Sequence, residues 1–299
     1  SARGNPPREL EKWAREMRRR AVPFRVPGRD GAVDLCGSGG ARRPSFNVST
    51  VSAFVVRSAG VPVVKHGNRS RRGCGSSDLL DALGLPVLTS IPFARASYRE
   101  LGIAFLHAPL FHPATRAVAP VRQLLGIPTI FNRLGPLSNP AAVRCQVTGA
   151  TDAESAVATA QVLRALGVLR GAAMSSDDGC DEFSPRAPTT AIVWSASHRR
   201  RIRVDPGVFL PREDRVGSWG ALPAAAAADE AERILAGGGG ARRGSVLLTS
   251  GTVLWVSGHA RNLGGGIGQA REALDSGAAE TVLDDLRALA VRFPNGGRT

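Results

Sequence analysis

The stretch Val33-Asp34-Leu35-Cys36-Gly37-Ser38-Gly39-Gly40 reads as a short buried strand that runs directly into a glycine-rich loop. A helix is expected after it, capped by Ser49 or Thr50 and passing through Ala53, Phe54, Val55 and Ala59 to a stop at Gly60. Strand, glycine loop and helix in this order make one unit of a layered α/β fold. Next along the chain, Val61 to Val64 is strand-like and delivers Lys65-His66-Gly67-Asn68-Arg69 into a second loop of glycines and serines. Upstream, Leu10, Trp13, Ala14 and Met17 share one helical face, and Pro23 and Pro27 end that helix.

Downstream the alternation continues: helix at Asp78 to Leu83, strand at Ile103 to Leu106, helix at Val118 to Leu125, strand at Gln146 to Gly149, helix at Asp152 to Leu166, strand at Ala172 to Ser175. Ile192 and Ile202 fall in further strands, and the chain is helical from Asp229 onward, with Ala224 to Ala228 and Gly237 to Gly240 read as connectors. The fold class expected is α/β, a largely parallel sheet flanked by helices.

At 299 residues, 43% hydrophobic and 21% charged, the chain has enough apolar content for a large core, which excludes general disorder. No apolar run reaches the roughly 18 residues of a bilayer span, and Ser1 to Arg20 is too charged for a secretory signal, so a cytoplasmic setting and no membrane partner are expected. Cys36, Cys74, Cys145 and Cys180 match no metal or disulfide spacing and are expected as free thiols. The net charge of +14 invites a nucleic-acid partner through counterion release. Against this, Lys12 and Lys65 are the only lysines among 39 basic residues, and the arginines are scattered rather than clustered.

Three segments carry chemistry. Glycines after a strand let backbone N–H groups approach an anion, and the following helix adds the positive end of its dipole, so Gly37 to Gly40 with Ser45, Asn47, Ser49 and Thr50 suits phosphate; a plain tight turn has the same glycines. Lys65 to Ser77 is a second anion-cradling loop, and two such loops suggest a substrate with two phosphate groups. Asp177-Asp178-Gly179-Cys180-Asp181-Glu182 offers hard oxygen ligands of the kind Mg²⁺ shares with substrate phosphates.

The segments Gly37-Ser38-Gly39-Gly40, Phe46-Asn47-Val48-Ser49-Thr50, Lys65-His66-Gly67-Asn68-Arg69, His107-Ala108-Pro109, His112-Pro113, Pro120-Val121-Arg122, Thr129 to Pro140 and Asp181-Glu182 together resemble the anthranilate phosphoribosyltransferase family, in order and near spacing. That resemblance implies a fold of the nucleoside phosphorylase and phosphoribosyltransferase type, with a small helical domain. It implies Mg²⁺-dependent transfer of the phosphoribosyl group from phosphoribosyl pyrophosphate to the amine of anthranilate, a step of tryptophan synthesis, and a homodimer. By matching position it assigns Gly37, Gly39, Gly40, Ser45, Asn47, Val48, Ser49, Thr50, Lys65, His66, Gly67, Asn68, Arg69, Gly73 and Ser76 to the donor. Gly37, Asn68 and Arg122 go to the aromatic acceptor, Ser49, Asp181 and Glu182 to the metal, and Lys65, Asn68 and Arg122 to catalysis. His66 and His112 are possible acceptors of the amine proton.

Departures from the family pattern are Ala41 in place of an aspartate, a shortened Ser70 to Gly75 loop, and Ser250-Gly251 in place of asparagine and alanine. The family carries roughly sixty further residues of helix ahead of the segment that begins here at Pro7. Residues 1–24 are therefore expected as a remnant of the small helical domain and 25–299 as the catalytic domain. Another aromatic acid as acceptor, with Thr115 near it, a pyrimidine nucleoside phosphorylase and a non-catalytic nucleic-acid-binding relative are the competing readings.

Overall fold

The computed structural model describes residues 6–27, 31–38, 45–70, 73–88, 90–118, 124 and 129–293. Its strands are β1 (Val33–Cys36), β2 (Val63–Gly67), β3 (Ile103–His107), β4 (Cys145–Gly149), β5 (Arg170–Ser176), β6 (Thr189–Trp194) and β7 (Arg199–Val204). They form one seven-stranded sheet in the order β3-β2-β1-β4-β5-β6-β7. Pairing is parallel from β3 through β5 and antiparallel for β6 and β7, so the expected largely parallel α/β sheet is what forms. The chain builds β2 and β3 to one side of β1 and β4 and β5 to the other, which opens a crevice beyond the carboxyl end of β1, where such sheets hold ligands.

The helices that matter below are α1 (Pro7–Arg19), α2 (Val48–Ser58), α3 (Ser76–Ala82), α4 (Ile91–Leu101), α5 (Ile130–Leu134), α6 (Ala153–Ala165), α7 (Ala224–Leu235), α8 (Ala241–Ser257), α9 (Leu263–Asp275) and α10 (Ala278–Ala290). Side chains of successive strand residues point to opposite faces. Val33, Leu35, Val63, Val147 and Met174 accordingly pack against α2, α7, α8, α9 and α10 in the main core. On the other face, Ala173, Ile192 and Trp194 pack against Leu10 and Ala14 of α1 and Ala156, Ala160 and Leu163 of α6. Trp13, expected on the packed face of α1, is 56% exposed, because the stripe that α6 covers is filled by Leu10 and Ala14.

Several element boundaries differ from expectation. β2 extends to Gly67 rather than stopping at Val64, because it pairs with β3 from Val63↔Ile103 to Gly67↔His107, so Lys65 and His66 stand within a strand. α2 begins at Val48 with Asn47 at the cap position and no side-chain cap, since the amide of Asn47 and the hydroxyl of Ser49 are engaged elsewhere. Ala224 to Ala228 is the first part of α7 and not a connector: alanine has the highest helix propensity, and Ala227 and Ala228 are buried. α4 was not expected from the pattern; Ser90 caps it by accepting the Phe93 N–H. The helix expected at Val118 to Leu125 lies mostly outside the described residues.

Candidate active site

Three carboxyl ends meet in the crevice. β1 delivers Gly37 and Ser38, β2 delivers Lys65, and the loop after β5 delivers Asp181 and Glu182, with the first turn of α2 bringing Ser49 between them. Asp181 Oδ2 accepts from both the N–H (2.7 Å) and the hydroxyl (2.6 Å) of Ser38. A Cβ on Gly37 would stand 3.0 Å from Asp181 Oδ2 and 3.7 Å from Glu182 Oε1, so the bare glycine lets the loop lie against both carboxylates. A Cβ on Gly149 would collide with the Asp181 carbonyl, and Ser176 Oγ donates to the Glu182 carbonyl at 2.6 Å, which together fix the acidic pair from behind.

Lys65 is 3% exposed, and its ammonium donates to the Leu35 carbonyl at 2.6 Å and to Ser49 Oγ at 3.1 Å. Glu182 is held well above the usual carboxylate range, first by burial and then by the neighbouring Asp181, with Lys65 and hydrogen bonds from Ser49 partly offsetting both. Among the described residues Glu182 Oε2 has no hydrogen-bond partner. A buried carboxyl oxygen left unpartnered beside a second carboxylate and a hydroxyl is a donor set that suits a hard divalent cation. No cluster of three or more His, Cys, Asp or Glu ligands occurs among the described residues, and Mg²⁺ needs none, since it takes one or two carboxylates and completes its shell with water and phosphate oxygens.

The second loop is tied to the first. Asn47 Nδ2 donates to the Cys74 carbonyl at 2.9 Å, and Ser76 Oγ donates to the Asn68 carbonyl at 3.3 Å. A Cβ on Gly67 would collide with Ser76 Oγ, and Gly73 has φ of +87°, a conformation glycine adopts without strain. Asp78 of α3 accepts from the N–H groups of Ser70 (3.0 Å) and Gly75 (2.9 Å), closing the loop on the helix start. The Asn68 side chain is exposed at the loop rim and accepts only the next residue's N–H among its described bonds.

The structure therefore gathers Gly37, Ser49, Lys65, Asp181 and Glu182 into one cluster and Asn47, Gly67, Asn68, Gly73 and Ser76 into an adjoining loop, with Val48 and Thr50 buried in the turn between them. Three further expected residues make contacts of their own. Ser45 forms an isolated bridge with Gly220, and Arg69 faces Asp78 and Asp81 of α3, each at 3.5 Å. The His66 side chain points to the sheet face opposite Lys65, its ring centroid 5.1 Å from that of His112. Burial, then the neighbouring His112, pushes His66 down to about 3, and burial lowers His112 as well. Gly39, Gly40 and Arg122 lie outside the described residues.

Ser38 and Asp34 were not among the expected site residues. Ser38 lies inside the quoted glycine loop with no role assigned to it, and its part depends on a carboxylate 143 residues away. For Asp34 the sequence does hold a signal, a carboxylate in the middle of a buried strand.

Residues 29–280 match the family described as glycosyl transferase family, a/b domain. An anthranilate phosphoribosyltransferase from Desulfitobacterium hafniense is 37% identical over 296 residues, 97% of this chain and 86% of that protein. One from Thermomicrobium roseum is 38% identical over 294 residues, 96% of this chain and 84% of that protein. The crystal structure of anthranilate phosphoribosyltransferase from Thermus thermophilus superposes with a TM-score of 0.86 at 35% identity, covering 97% of this chain and 87% of the other. The Saccharomyces cerevisiae enzyme, solved in complex with PRPP and Mg, shares the fold with a TM-score of 0.82 at 24% identity, over 96% and 81% of the two chains.

Proposed function

The chain belongs to the anthranilate phosphoribosyltransferase family, and from that premise we propose that it transfers the phosphoribosyl group of phosphoribosyl pyrophosphate to the amine of anthranilate, with Mg²⁺. The observation that carries this reading is the convergence of Ser49, Lys65, Asp181 and Glu182 on the bare backbone of Gly37 in one crevice.

Pyrophosphate leaves C1 of the ribose through a transition state of oxocarbenium character, so the protein must stabilise negative charge on the departing group. Lys65 presents a buried positive charge held by two acceptors, and the N-terminal turn of α2 adds backbone N–H groups and the helix dipole. Asp181, Glu182 and Ser49 are the residues that would hold the cation, and a bound Mg²⁺ supplies charge neutralisation at the leaving pyrophosphate. The second donor loop is fastened to the first through the bond from Asn47 to the Cys74 carbonyl, which supports the two loops addressing one donor together.

Arg122 is assigned to the acceptor carboxylate, for which a guanidinium is a matching fork, and with Asn68 it aims the adjacent amine at C1. An aromatic amine is nucleophilic enough to need no strong base. His66 and His112 lie across the sheet from Lys65. The resemblance gives a homodimer as the assembly, which sedimentation equilibrium reads directly, and the charged residues of Ser1 to Arg20 support the cytoplasm as the compartment. No helix among the described residues is long and apolar enough to cross a membrane.

The test is the loss of anthranilate fluorescence on mixing the protein with phosphoribosyl pyrophosphate, with and without Mg²⁺. Mg²⁺-dependent turnover is expected, abolished in the folded double variant Asp181→Asn, Glu182→Gln. Full activity in that variant sinks the metal assignment, and no turnover by wild-type protein that binds the donor sinks anthranilate as acceptor.

A further inference from the structure

β1 and β2 are parallel neighbours that part company almost at once. β1 pairs with β4 over four positions and β2 with β3 over five, but between β1 and β2 the register is Val33↔Val63 alone. A parallel ladder continued from that pair would join Leu35 N–H to the Val64 carbonyl and His66 N–H to the Leu35 carbonyl. Instead, each of three backbone groups facing the gap is taken by a side chain. The Val64 carbonyl accepts from Asn139 Nδ2 (2.8 Å), the His66 N–H donates to Asp34 Oδ1 (3.2 Å), and the Leu35 carbonyl accepts from Lys65 Nζ (2.6 Å).

Asp34 is 1% exposed, its Oδ2 has no partner among the described residues, and the charges facing it are Lys65 from β2 and Arg18 from α1. A buried carboxyl group with one oxygen unpaired is costly to keep in a strand interior. It accepts the His66 N–H, with the Leu35 N–H and the Asn139 amide as further hydrogen-bonding neighbours, and the bond to His66 leaves the Leu35 carbonyl free for the lysine.

We propose that Asp34 is a positioning residue that wedges β1 and β2 apart, so that the Lys65 ammonium lies in the gap, on the Leu35 carbonyl and Ser49, aimed at the pyrophosphate end of the donor. Without the wedge, the His66 N–H closes onto the Leu35 carbonyl and the lysine loses its anchor. This rests on the phosphoribosyltransferase reading for its kinetic consequence, although the closure of the ladder does not.

The experiment compares Asp34→Ala and Asp34→Asn in the full chain, with Asp34→Ser, too short to reach His66, in place of alanine if circular dichroism shows that the alanine variant has not folded. Donor affinity is read by calorimetry with phosphoribosyl pyrophosphate and Mg²⁺, kinetics by anthranilate fluorescence. Loss of the acceptor oxygen should weaken donor binding about 30-fold and lower kcat while the anthranilate KM stays within about twofold. Asparagine, which keeps an acceptor oxygen at the Oδ1 position, should stay within about threefold of wild type. In a Lys65→Met background the Asp34 substitution should cost nothing more, because the two act through one contact.

A purely structural role would lower the thermal midpoint and leave these kinetic ratios unmoved, which overturns the proposal. So does a loss in asparagine as large as in alanine, or additivity with Lys65→Met. Wild-type protein that neither binds the donor nor turns over refutes the functional reading instead. In that event the wedge itself is judged by the crystal structure of the alanine or serine variant: a bond from His66 N–H to the Leu35 carbonyl supports it, and an unchanged gap with Lys65 still on Leu35 overturns it.

Discussion

Lys65 carries its charge at 3% exposure, with a carbonyl and a hydroxyl as its close acceptors and Glu182 and Asp34 as the acidic groups that feel it. Holding an ammonium there costs stability, because the desolvation of a buried charge is only partly returned by its contacts. Lys65→Met, of similar volume and without charge, should therefore keep or raise the thermal midpoint while reducing turnover by about a hundredfold or more, as is usual when a donor to developing negative charge is removed. Retained activity would remove the lysine from the chemistry. Its importance was legible in composition, since a chain that uses arginine almost everywhere placed a lysine at this strand. The double hydrogen bond of Ser38 to Asp181 was not legible, because nothing local in a glycine-serine loop says which distant carboxylate it will meet.

Among the elements, the crossing of α8 and α9 depends on two glycines. A Cβ on Gly251 would come within 2.5 Å of Ile267 Cγ1 and 2.7 Å of the Ile267 backbone nitrogen, and one on Gly266 would collide with the Gly251 carbonyl. This gives the Ser250-Gly251 departure a physical account: the helices approach backbone to backbone where a side chain would hold them apart. Gly251→Ala should destabilise the protein by about 1–3 kcal/mol despite alanine's better helix propensity, because overpacking outweighs the roughly 1 kcal/mol of propensity gained. A chemical-denaturation midpoint equal to or above wild type would show that the crossing has room. α8 also supplies Arg243, which pairs with Asp214 at 2.9 Å and with Asp275 at 2.5 Å, and Asp214→Ala, which leaves Asp275 in place, should cost about 1–3 kcal/mol by chemical denaturation.

Across the described residues, three buried histidines are all held below the ordinary imidazole value. His66 is pushed down to about 3, His107 to about 4 by burial and then by Arg69, and His112 is lowered by burial. Each binds fewer protons folded than unfolded once the pH falls below the ordinary value of 6.5, so each removes stability as the pH drops from there. Glu182 and Asp34, raised by burial, act in the opposite sense, since each takes up its proton in the fold at a higher pH than in the unfolded chain. A single variant isolates one contribution. His107→Gln, which removes the titrating ring opposite Ser77 Oγ at 2.9 Å, should show a thermal midpoint that gains on wild type as the pH is taken from about 7 to about 5. A difference that stays constant with pH would clear His107 of any part in acid sensitivity.

The general alternation of strands and helices, the two glycine-rich loops, the acidic pair and the lysine were determined by the sequence alone, because hydrophobic period, glycine placement and residue chemistry are local properties that survive without a fold. Tertiary structure decided that β2 runs on through Lys65 and His66, that neighbouring residues of that strand serve opposite faces, and that Asn47 ties the two loops together instead of capping α2. It also decided that β1 and β2 separate around Asp34. Each of these rests on a hydrogen bond or packing contact between residues far apart in the chain, whose partners are chosen only when the sheet closes and every buried polar group must find one.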